Sequence, residues 1–463
     1  MKPSIYNFVW STDDPEKAII FNSLTTALAE VKKSRIDLLN VSHFDYTLLP
    51  EKDKQFADEL QKGGFIVEDT ADELRKVKFA YNSDKYDSSL ARLVIAPTLA
   101  CNFACSYCYE QSDKNLSHEE SNKNNQNAFM SAEIKLDILK YAEKVAKKGK
   151  DIFVTWYGGE PLLAKETVFE LSQKIIAISE ENKVEYSAGI ITNGYLISKN
   201  SGIVENFKKC KIKFVHVTLD GPREVHDSRR MLKGNGSTFD RILEGIKLLK
   251  ANDIEVYIRI NTDRSNLDNI NRLLEVLKEN NLSDVFIYLG QVIPYTAGCK
   301  SYESSCILTE EFSRINQAFN RSLNLMGFEA GRLSFYPRFA RACDANRSDA
   351  FVFDPEGYMY KCWTEIGNKN SSIGNVRDLV NENNENNEKE NREIQWLTWE
   401  PFEYSDCVKC KMLPICMGGC AHQAMFINKG KPECKEWKFG LEHYVRSKFS
   451  YLKPLKATIN NSC

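Results

Sequence analysis

Cys101, Cys105 and Cys108 lie in the octet Cys-Asn-Phe-Ala-Cys-Ser-Tyr-Cys, a C-x3-C-x2-C spacing. On a short loop, three thiols so placed can hold three irons of one cubane and leave the fourth iron open to a ligand. The chain has 14 cysteines in 463 residues, and at that frequency the spacing arises by accident in roughly one chain in a hundred. It is therefore read as a site. The competing chemistry, a structural zinc loop, needs a fourth His or Cys close by, and His118 is the nearby candidate. More cysteines crowd the last third of the chain. Cys343 leads through Gly357 to Cys362, a C-x13-G-x4-C spacing; Cys407, Cys410, Cys416 and Cys420 form C-x2-C-x5-C-x3-C; Cys434 stands beyond. Two zinc ribbons are one chemical reading of this second set, but zinc offers no electron path.

Other motifs carry groups suited to an organic ligand. In Tyr157-Gly-Gly-Glu-Pro161, Gly158 and Gly159 let the backbone approach a ligand closely, and Glu160 supplies an acceptor for an ammonium group. Asn193 lies in Thr192-Asn-Gly194 and Thr218 opens Thr218-Leu-Asp-Gly-Pro222; both turns also read simply as strand stops. Arg230 ends His226-Asp-Ser-Arg-Arg230, and its guanidinium is suited to a two-pronged grip on a carboxylate.

These motifs need elements to position them. Apolar strand-like runs occur at Leu93 to Ala96, Ile152 to Trp156, Tyr186 to Ile191, Phe214 to Leu219, Glu255 to Ile260 and Val285 to Leu289. Helical periodicity lies between them, as at Ala132 to Lys147, Thr167 to Glu180, Phe239 to Ala251 and Leu267 to Asn280. Six strand-helix units imply parallel strands joined by right-handed crossovers, and six are too few for a closed eight-unit barrel. The fold class is therefore α/β, a partial barrel. Chemistry in such barrels gathers at strand carboxyl ends, and the chain places its polar motifs there repeatedly: the cysteine triple, the Gly-Gly-Glu turn, and the turns of Asn193 and Thr218.

At the cysteine triple, with an aromatic residue, Tyr107, before its last member, the sequence resembles the radical S-adenosylmethionine (SAM) enzymes. The resemblance covers residues 90 to 440. It implies a partial (β/α)6 barrel and a 4Fe-4S cluster on Cys101, Cys105 and Cys108 whose open iron chelates SAM. Reduction then cleaves SAM to a 5'-deoxyadenosyl radical that abstracts a substrate hydrogen. The turn with Gly158, Gly159 and Glu160 is similar to the family's GGEP motif, which binds the methionyl amine. Thr218 matches a hydroxyl position that meets the SAM carboxylate, and Asn193 and Arg230 are expected as further SAM contacts. The seven later cysteines match the SPASM extension, which implies two auxiliary 4Fe-4S clusters, one on Cys407, Cys410, Cys416 and Cys434, the other on Cys343, Cys362 and Cys420. The fourth ligand of the latter stays open, with Cys299 and Cys306 as candidates or a substrate cysteine in their place.

The resemblance also sets the function expected: a maturase that crosslinks a small ribosomally made precursor peptide with a leader, thioether formation favoured, with a flavodoxin- or ferredoxin-type reductant. Carbon-carbon or carbon-oxygen crosslinking is an alternative. So is formylglycine formation on sulfatases, whose enzymes typically carry Asp just after the second SPASM cysteine, where this chain has Trp363. A non-catalytic electron-transfer or zinc-scaffold protein is the remaining reading.

Three domains are expected: residues 1–88, 89–335 and 336–463. The first has no cysteine and reads as a docking module, with a strand at Tyr6 to Trp10, weak alternation over Thr25 to Leu39, a helix at Asp53 to Lys62, a strand at Phe65 to Val67 and a helix at Ala71 to Tyr81. It resembles winged-helix leader-recognition elements, or else caps the barrel. Phe351 to Lys361 reads as a hairpin around Pro-Glu-Gly that presents Cys362. The polar stretches Ser112 to Gln126 and Asn381 to Arg392 read as exposed mobile insertions. Cys210 reads as core and Cys463 as incidental.

Composition bounds the rest. With 42% hydrophobic and 27% charged residues the chain is an ordinary globular protein, and a formal charge of -2 with short scattered lysine runs does not indicate nucleic acid. No apolar run approaches signal-peptide or membrane-span length, so a cytoplasmic location is expected. There thiols stay reduced, which favours metal ligation over disulfides.

Overall fold

Among the described residues there are three sheets: a nine-stranded mixed sheet of mostly parallel strands and, near the amino end, a three-stranded and a two-stranded antiparallel one. The computed structural model describes residues 1–108, 129–199, 202–294, 302–328, 336–381 and 387–460. His118, Cys299, Cys463 and the stretch 112–126 lie outside the described residues.

The first segment holds β1 (Lys2–Pro3), β2 (Asn7–Ser11), β3 (Lys17–Asn22), β4 (Leu28–Lys32), α1 (Glu51–Lys62), β5 (Ile66–Val67) and α2 (Glu73–Lys85). Strands β2, β3 and β4 form the three-stranded sheet, and β1 pairs with β5. Asp72 caps α2 by accepting from the Arg75 amide. The central strand β3 escapes a search for alternation because both of its faces are covered. Ala18 and Ile20 pack with Val31, Leu60 and Ile66. Ile19 and Phe21 pack instead with Ile415, Leu441 and Val445, some 400 residues away. Tyr6, Val77 and Tyr81 likewise share a core with Leu413 and Met417. Asp84 accepts from the Ala342 amide at 2.9 Å and pairs with Arg347 at 3.0 Å. The amino-terminal segment thus shares apolar cores with the late cysteine-rich segment.

The barrel runs β6 (Leu90–Ile95), α3 (Ala132–Lys147), β7 (Asp151–Trp156), α4 (Lys165–Glu181), β8 (Tyr186–Thr192), α5 (Ile203–Lys209), β9 (Ile212–Thr218), α6 (Arg223–Arg229), α7 (Phe239–Lys250), β10 (Glu255–Thr262), α8 (Ile270–Glu279), β11 (Phe286–Gln291) and α9 (Thr309–Met326). The six strands are parallel neighbours in chain order, as six strand-helix units require. Strand alternation sorts the two faces. In β10, Val256, Ile258 and Ile260 join the core against the helices, whereas Tyr257, Arg259 and Asn261 are half-buried on the concave side. Helix α3 begins at Ser131, whose hydroxyl accepts from the Ile134 amide, and buries Ile134, Ile138, Tyr141 and Val145 along one stripe. Cys210 is fully buried, as expected of a core residue.

The hairpin at 351–361 has a role that its sequence alone does not convey. β12 (Ala350–Phe353) pairs parallel with β6, and β13 (Tyr358–Tyr360) and β14 (Gly374–Asn375) extend the same sheet to nine strands. One correction concerns the Asn- and Glu-rich stretch. Of the stretch Asn381 to Arg392, residues 382–386 lie outside the described residues and Asn381, Glu390 and Asn391 are exposed as expected, but from residue 387 the chain is helical, in α10 (Asn387–Thr398), and not irregular. Trp396 is wholly buried and its carbonyl accepts from Asn346 at 2.8 Å, while Arg392 donates to the Ser371 carbonyl and pairs with Glu365. A few apolar and cationic anchors outweigh a polar composition here. The chain closes with α11 (Trp437–Asn460), packed along α9. No described helix is long and apolar enough to cross a membrane.

Candidate active site

The loop bearing Cys101, Cys105 and Cys108 leaves the carboxyl end of β6 and is held on both sides by backbone. On one side the Gly159 amide donates to the Thr98 carbonyl at 3.2 Å and the Glu160 amide to the Ala100 carbonyl at 2.9 Å. On the other, the Ala104 amide donates to Met231 at 2.9 Å and the Lys233 amide to Asn102 at 2.8 Å. The glycines have a local reason. Gly158 has φ +115°, and a Cβ there would lie 2.3 Å from the Thr98 carbonyl oxygen; at Gly159 it would lie 2.4 Å from the Leu99 and Ala100 oxygens. What approaches them closely is the cysteine loop itself. A Gly159→Ala protein is therefore expected to displace that loop, and iron analysis beside the unaltered protein should show loss of about one cluster's iron.

Glu160 is fully buried, accepting from the Leu162 amide at 3.0 Å, the Thr192 hydroxyl at 2.7 Å and the Asn193 amide at 2.7 Å. A carboxylate has about four acceptor positions, so one remains for a ligand ammonium. Asn193 is also buried, donating to Asn102 in the cysteine loop at 2.8 Å. Thr218 ends β9, half-buried and in register with Arg259 of β10.

Arg230 is buried beside the cysteine loop. Its Nη1 donates to the Tyr107 oxygen at 2.6 Å, its guanidinium lies 5.7 Å from the Phe103 ring, and its Nε is buried without a partner. Tyr107 in turn donates to Asp220 at 2.5 Å and accepts from Asn261 at 3.1 Å. Below it Arg229 joins Asp220 at 3.3 Å and Asp263 at 2.8 Å, donates to the Asn261 carbonyl at 3.0 Å, and lies 5.0 Å from the Tyr107 ring. Both aspartates are fully buried. Asp220, Arg229, Asn261 and Asp263 were not singled out in the sequence. The signal available was that Asp220 and Arg229 lie in stretches already noted for other residues, and that Asn261 and Asp263 lie at the carboxyl end of β10.

The thiols have the electrostatics of cation ligands. Burial pushes the Cys101 thiol up to about 12 and raises Cys105 as well; the nearby Arg230 guanidinium offsets part of this. A buried thiolate needs positive charge beside it, which bound iron supplies. Three thiols on one loop, a cation beside them and an unpartnered Nε fit a cluster carrying an anionic organic ligand. The later cysteines fall into two electrostatic groups. Burial first, and then Cys416, Cys410 and Cys434, push the Cys407 thiol up to about 11. Burial first, with Cys343 and Cys420 adding to it, pushes the Cys362 thiol up to about 12. Cys306 directs its sulfur to the Tyr302 carbonyl at 3.6 Å. Among the described residues, no three His, Cys, Asp or Glu side chains converge on a single-ion position.

Residues 95–289 match the Radical SAM superfamily. The chain carries a radical SAM domain. Curated relatives of this radical SAM chain include the Fe-coproporphyrin III synthase of Methanosarcina barkeri, 26% identical over 50% of this chain; the match spans only about half (52%) of that relative. The cysteine-type anaerobic sulfatase-maturating enzyme of Clostridium perfringens is 23% identical over 72% of this chain and 88% of its own. Among solved structures, native anSMEcpe with bound AdoMet and Cp18Cys peptide superposes with a TM-score of 0.60 at 19% identity, covering 80% of this chain and 99% of that one. Streptococcus suis SuiB bound to precursor peptide SuiA gives 0.51 at 14% identity, covering 94% and 98%. At these identities the structures establish the shared fold, a partial barrel of the radical SAM type.

Near the site an aromatic contact also joins the two halves of the chain. Tyr157, just before Gly158, stacks on Trp363, just after Cys362, with ring centroids 5.6 Å apart.

Proposed function

We propose that this chain is a cytoplasmic radical SAM/SPASM maturase that crosslinks a small ribosomally made peptide, with thioether formation as the reaction. Cys101, Cys105 and Cys108 would hold the SAM-binding cluster, and Cys407, Cys410, Cys416 and Cys434 and Cys343, Cys362 and Cys420 the two auxiliary clusters. Together with SAM and a flavodoxin- or ferredoxin-type reductant, these groups supply a carbon radical for hydrogen abstraction and a sink for the electron left over. The chain's own residues bind and orient: Glu160 offers its remaining acceptor position to an ammonium group, while Arg230 and Tyr107 fix the cysteine loop over the barrel mouth.

The observation that carries the reading is the Tyr157–Trp363 stack. It brings the segment of Cys362 against the turn that borders the first cluster loop, and it puts an aromatic face where the sulfatase-maturing enzymes, by the family resemblance, carry an acid. A peptide side chain is then offered a surface for packing and no proton acceptor at that point. Residues 1–88 are read as the leader-binding module. A cavity of about 500 Å³ that Ile66, Val67, Lys76 and Ala80 of this module line together with Phe339 of the third domain supports this reading.

The sulfatase reading rests on a specific finding too, the 88% coverage of the Clostridium perfringens enzyme. One experiment separates the two. The reconstituted protein, SAM and a reductant are incubated with synthetic peptides copied from short reading frames beside the gene, and with a sulfatase-derived cysteine peptide. The expected result is loss of two hydrogens and of one free thiol from a precursor. Conversion of the sulfatase peptide to the aldehyde, with every precursor unchanged, would overturn the proposal.

A further inference from the structure

The concave face of the barrel holds a cation that the site described above does not use. Arg259, in the middle of β10, is half-buried on this face. Its Nε donates to Asn261 Oδ1 at 2.7 Å, and its guanidinium carbon lies 5.9 Å from the Tyr288 ring. It makes no ion pair with any described carboxylate, although Arg229 at the end of α6 engages two. Among the described residues its terminal nitrogens have no hydrogen-bond acceptor, and they lie on the concave side with the rest of the side chain.

The surroundings are built around this guanidinium. Gly290 on β11 leaves the room for it, since a Cβ there would lie 2.4 Å from Nε. Asn261 fixes its orientation from one side and donates to Tyr107 at 3.1 Å from its other amide atom, so that Arg259 sits two hydrogen bonds from the cysteine loop. The walls beside it are aromatic. His216 stacks on Tyr257 at 4.7 Å, and His216 Nδ1 lies 3.2 Å from the Tyr288 hydroxyl. Burial, and then the charge of Arg259, holds His216 neutral. Tyr257 and Tyr288 also line a cavity of about 290 Å³ at the β11 edge.

An oriented, uncompensated guanidinium between apolar walls suits a carboxylate, which it can meet with two parallel N–H donors. We infer that Arg259 is a carboxylate-binding residue of the reaction chamber. It thereby positions a reactant next to the cluster loop. This rests on the radical SAM reading of the site but not on which peptide is modified. Two reactants bring carboxylates here: SAM through its methionyl group, and a peptide through Asp, Glu or its terminus.

The test measures binding to the reconstituted protein and to its Arg259→Gln, Arg259→Lys and Gly290→Ala variants, all with matched iron content and circular dichroism. The probes are SAM, decarboxylated SAM, and a synthetic precursor peptide with its carboxylates intact or converted to amides. Loss of a charge-assisted pair weakens binding by roughly 10- to 100-fold. If the carboxylate is that of SAM, Arg259→Gln weakens SAM by that factor and leaves decarboxylated SAM unchanged. If it belongs to the peptide, SAM is unchanged and the acidic peptide alone weakens. In either case Arg259→Lys recovers part of the loss, and Gly290→Ala, which displaces the guanidinium, reproduces it. A precursor that fails to bind the unaltered protein counts against the peptide proposal, and the SAM arm still reads Arg259. Unchanged affinity for SAM and for any peptide that binds, in all three variants, overturns the inference.

Discussion

A protein in which Cys101, Cys105 and Cys108 are all replaced by Ala is expected to release no 5'-deoxyadenosine from SAM under reduction, a fall of at least about a thousandfold. It should still retain the iron and sulfide of two clusters. The specificity of the effect follows from how the loop is held. Its position depends on the backbone bonds to residues 159–160 and 231–233, and the contact from the Phe103 amide to the Cys101 thiol is long, at 3.4 Å. Removing the thiols therefore removes ligands without removing the loop's supports. The later cysteines lie in two other groups, and their iron should be unaffected. Iron and sulfide counting paired with chromatography of the cleavage products decides the matter, and cleavage at an unaltered rate would exclude the radical SAM assignment of this loop.

The second large effect is expected at Arg229. Changing it to Met leaves Asp220 and Asp263 buried with no cation between them. Burial by itself raises the Asp263 carboxyl, but the bonds and charge of Arg229 bring it below its ordinary range. Breaking a buried pair by removing one partner costs about 3–5 kcal/mol. Here the damage is local as well as global, because Asp220 accepts from Tyr107 and from the Asn261 amide, both of which border the cysteine loop. Thermal unfolding should begin several degrees lower, and SAM binding should weaken with it. A second change, Asp263→Asn in the Arg229→Met background, should restore part of the loss. An unchanged melting curve in Arg229→Met would show that the pair adds nothing to stability.

Where the sequence was readable, a single periodicity or spacing determined the outcome. Strands β6 to β11 have one face against helices and one in the barrel, so their alternation survives and the six-unit barrel could be inferred. The cysteine triple and the glycine turn declared themselves by spacing, and the structure puts them side by side. What escaped depends on partners far along the chain. β3 is apolar throughout because residues 415–445 cover its second face, and no local pattern announces that. The role of Arg229 required knowing that Asp220 and Asp263, 9 and 34 residues away, turn toward it. The helix that begins at residue 387 was missed because composition averages over side chains, whereas the bonds of Arg392 and the buried Trp396 just beyond the polar stretch anchor it.

The pairing of β12 with β6 also has a consequence for how the protein is made. Roughly 260 residues separate the two strands, and at about 5–20 residues per second the ribosome needs on the order of tens of seconds to pass from one to the other. During that interval the outer edge of β6 displays unpaired amides and carbonyls, a template for association with other chains. The same late segment supplies the missing cover of β3. A nascent chain that stops short of residue 340 therefore presents a raw strand edge and a bare apolar face at once, with the thiols of Cys101, Cys105 and Cys108 only a few residues beyond that edge. Completion of the last quarter of the polypeptide closes both exposures together, which makes synthesis of the carboxyl-terminal segment the step after which the newly made protein is protected from aggregation.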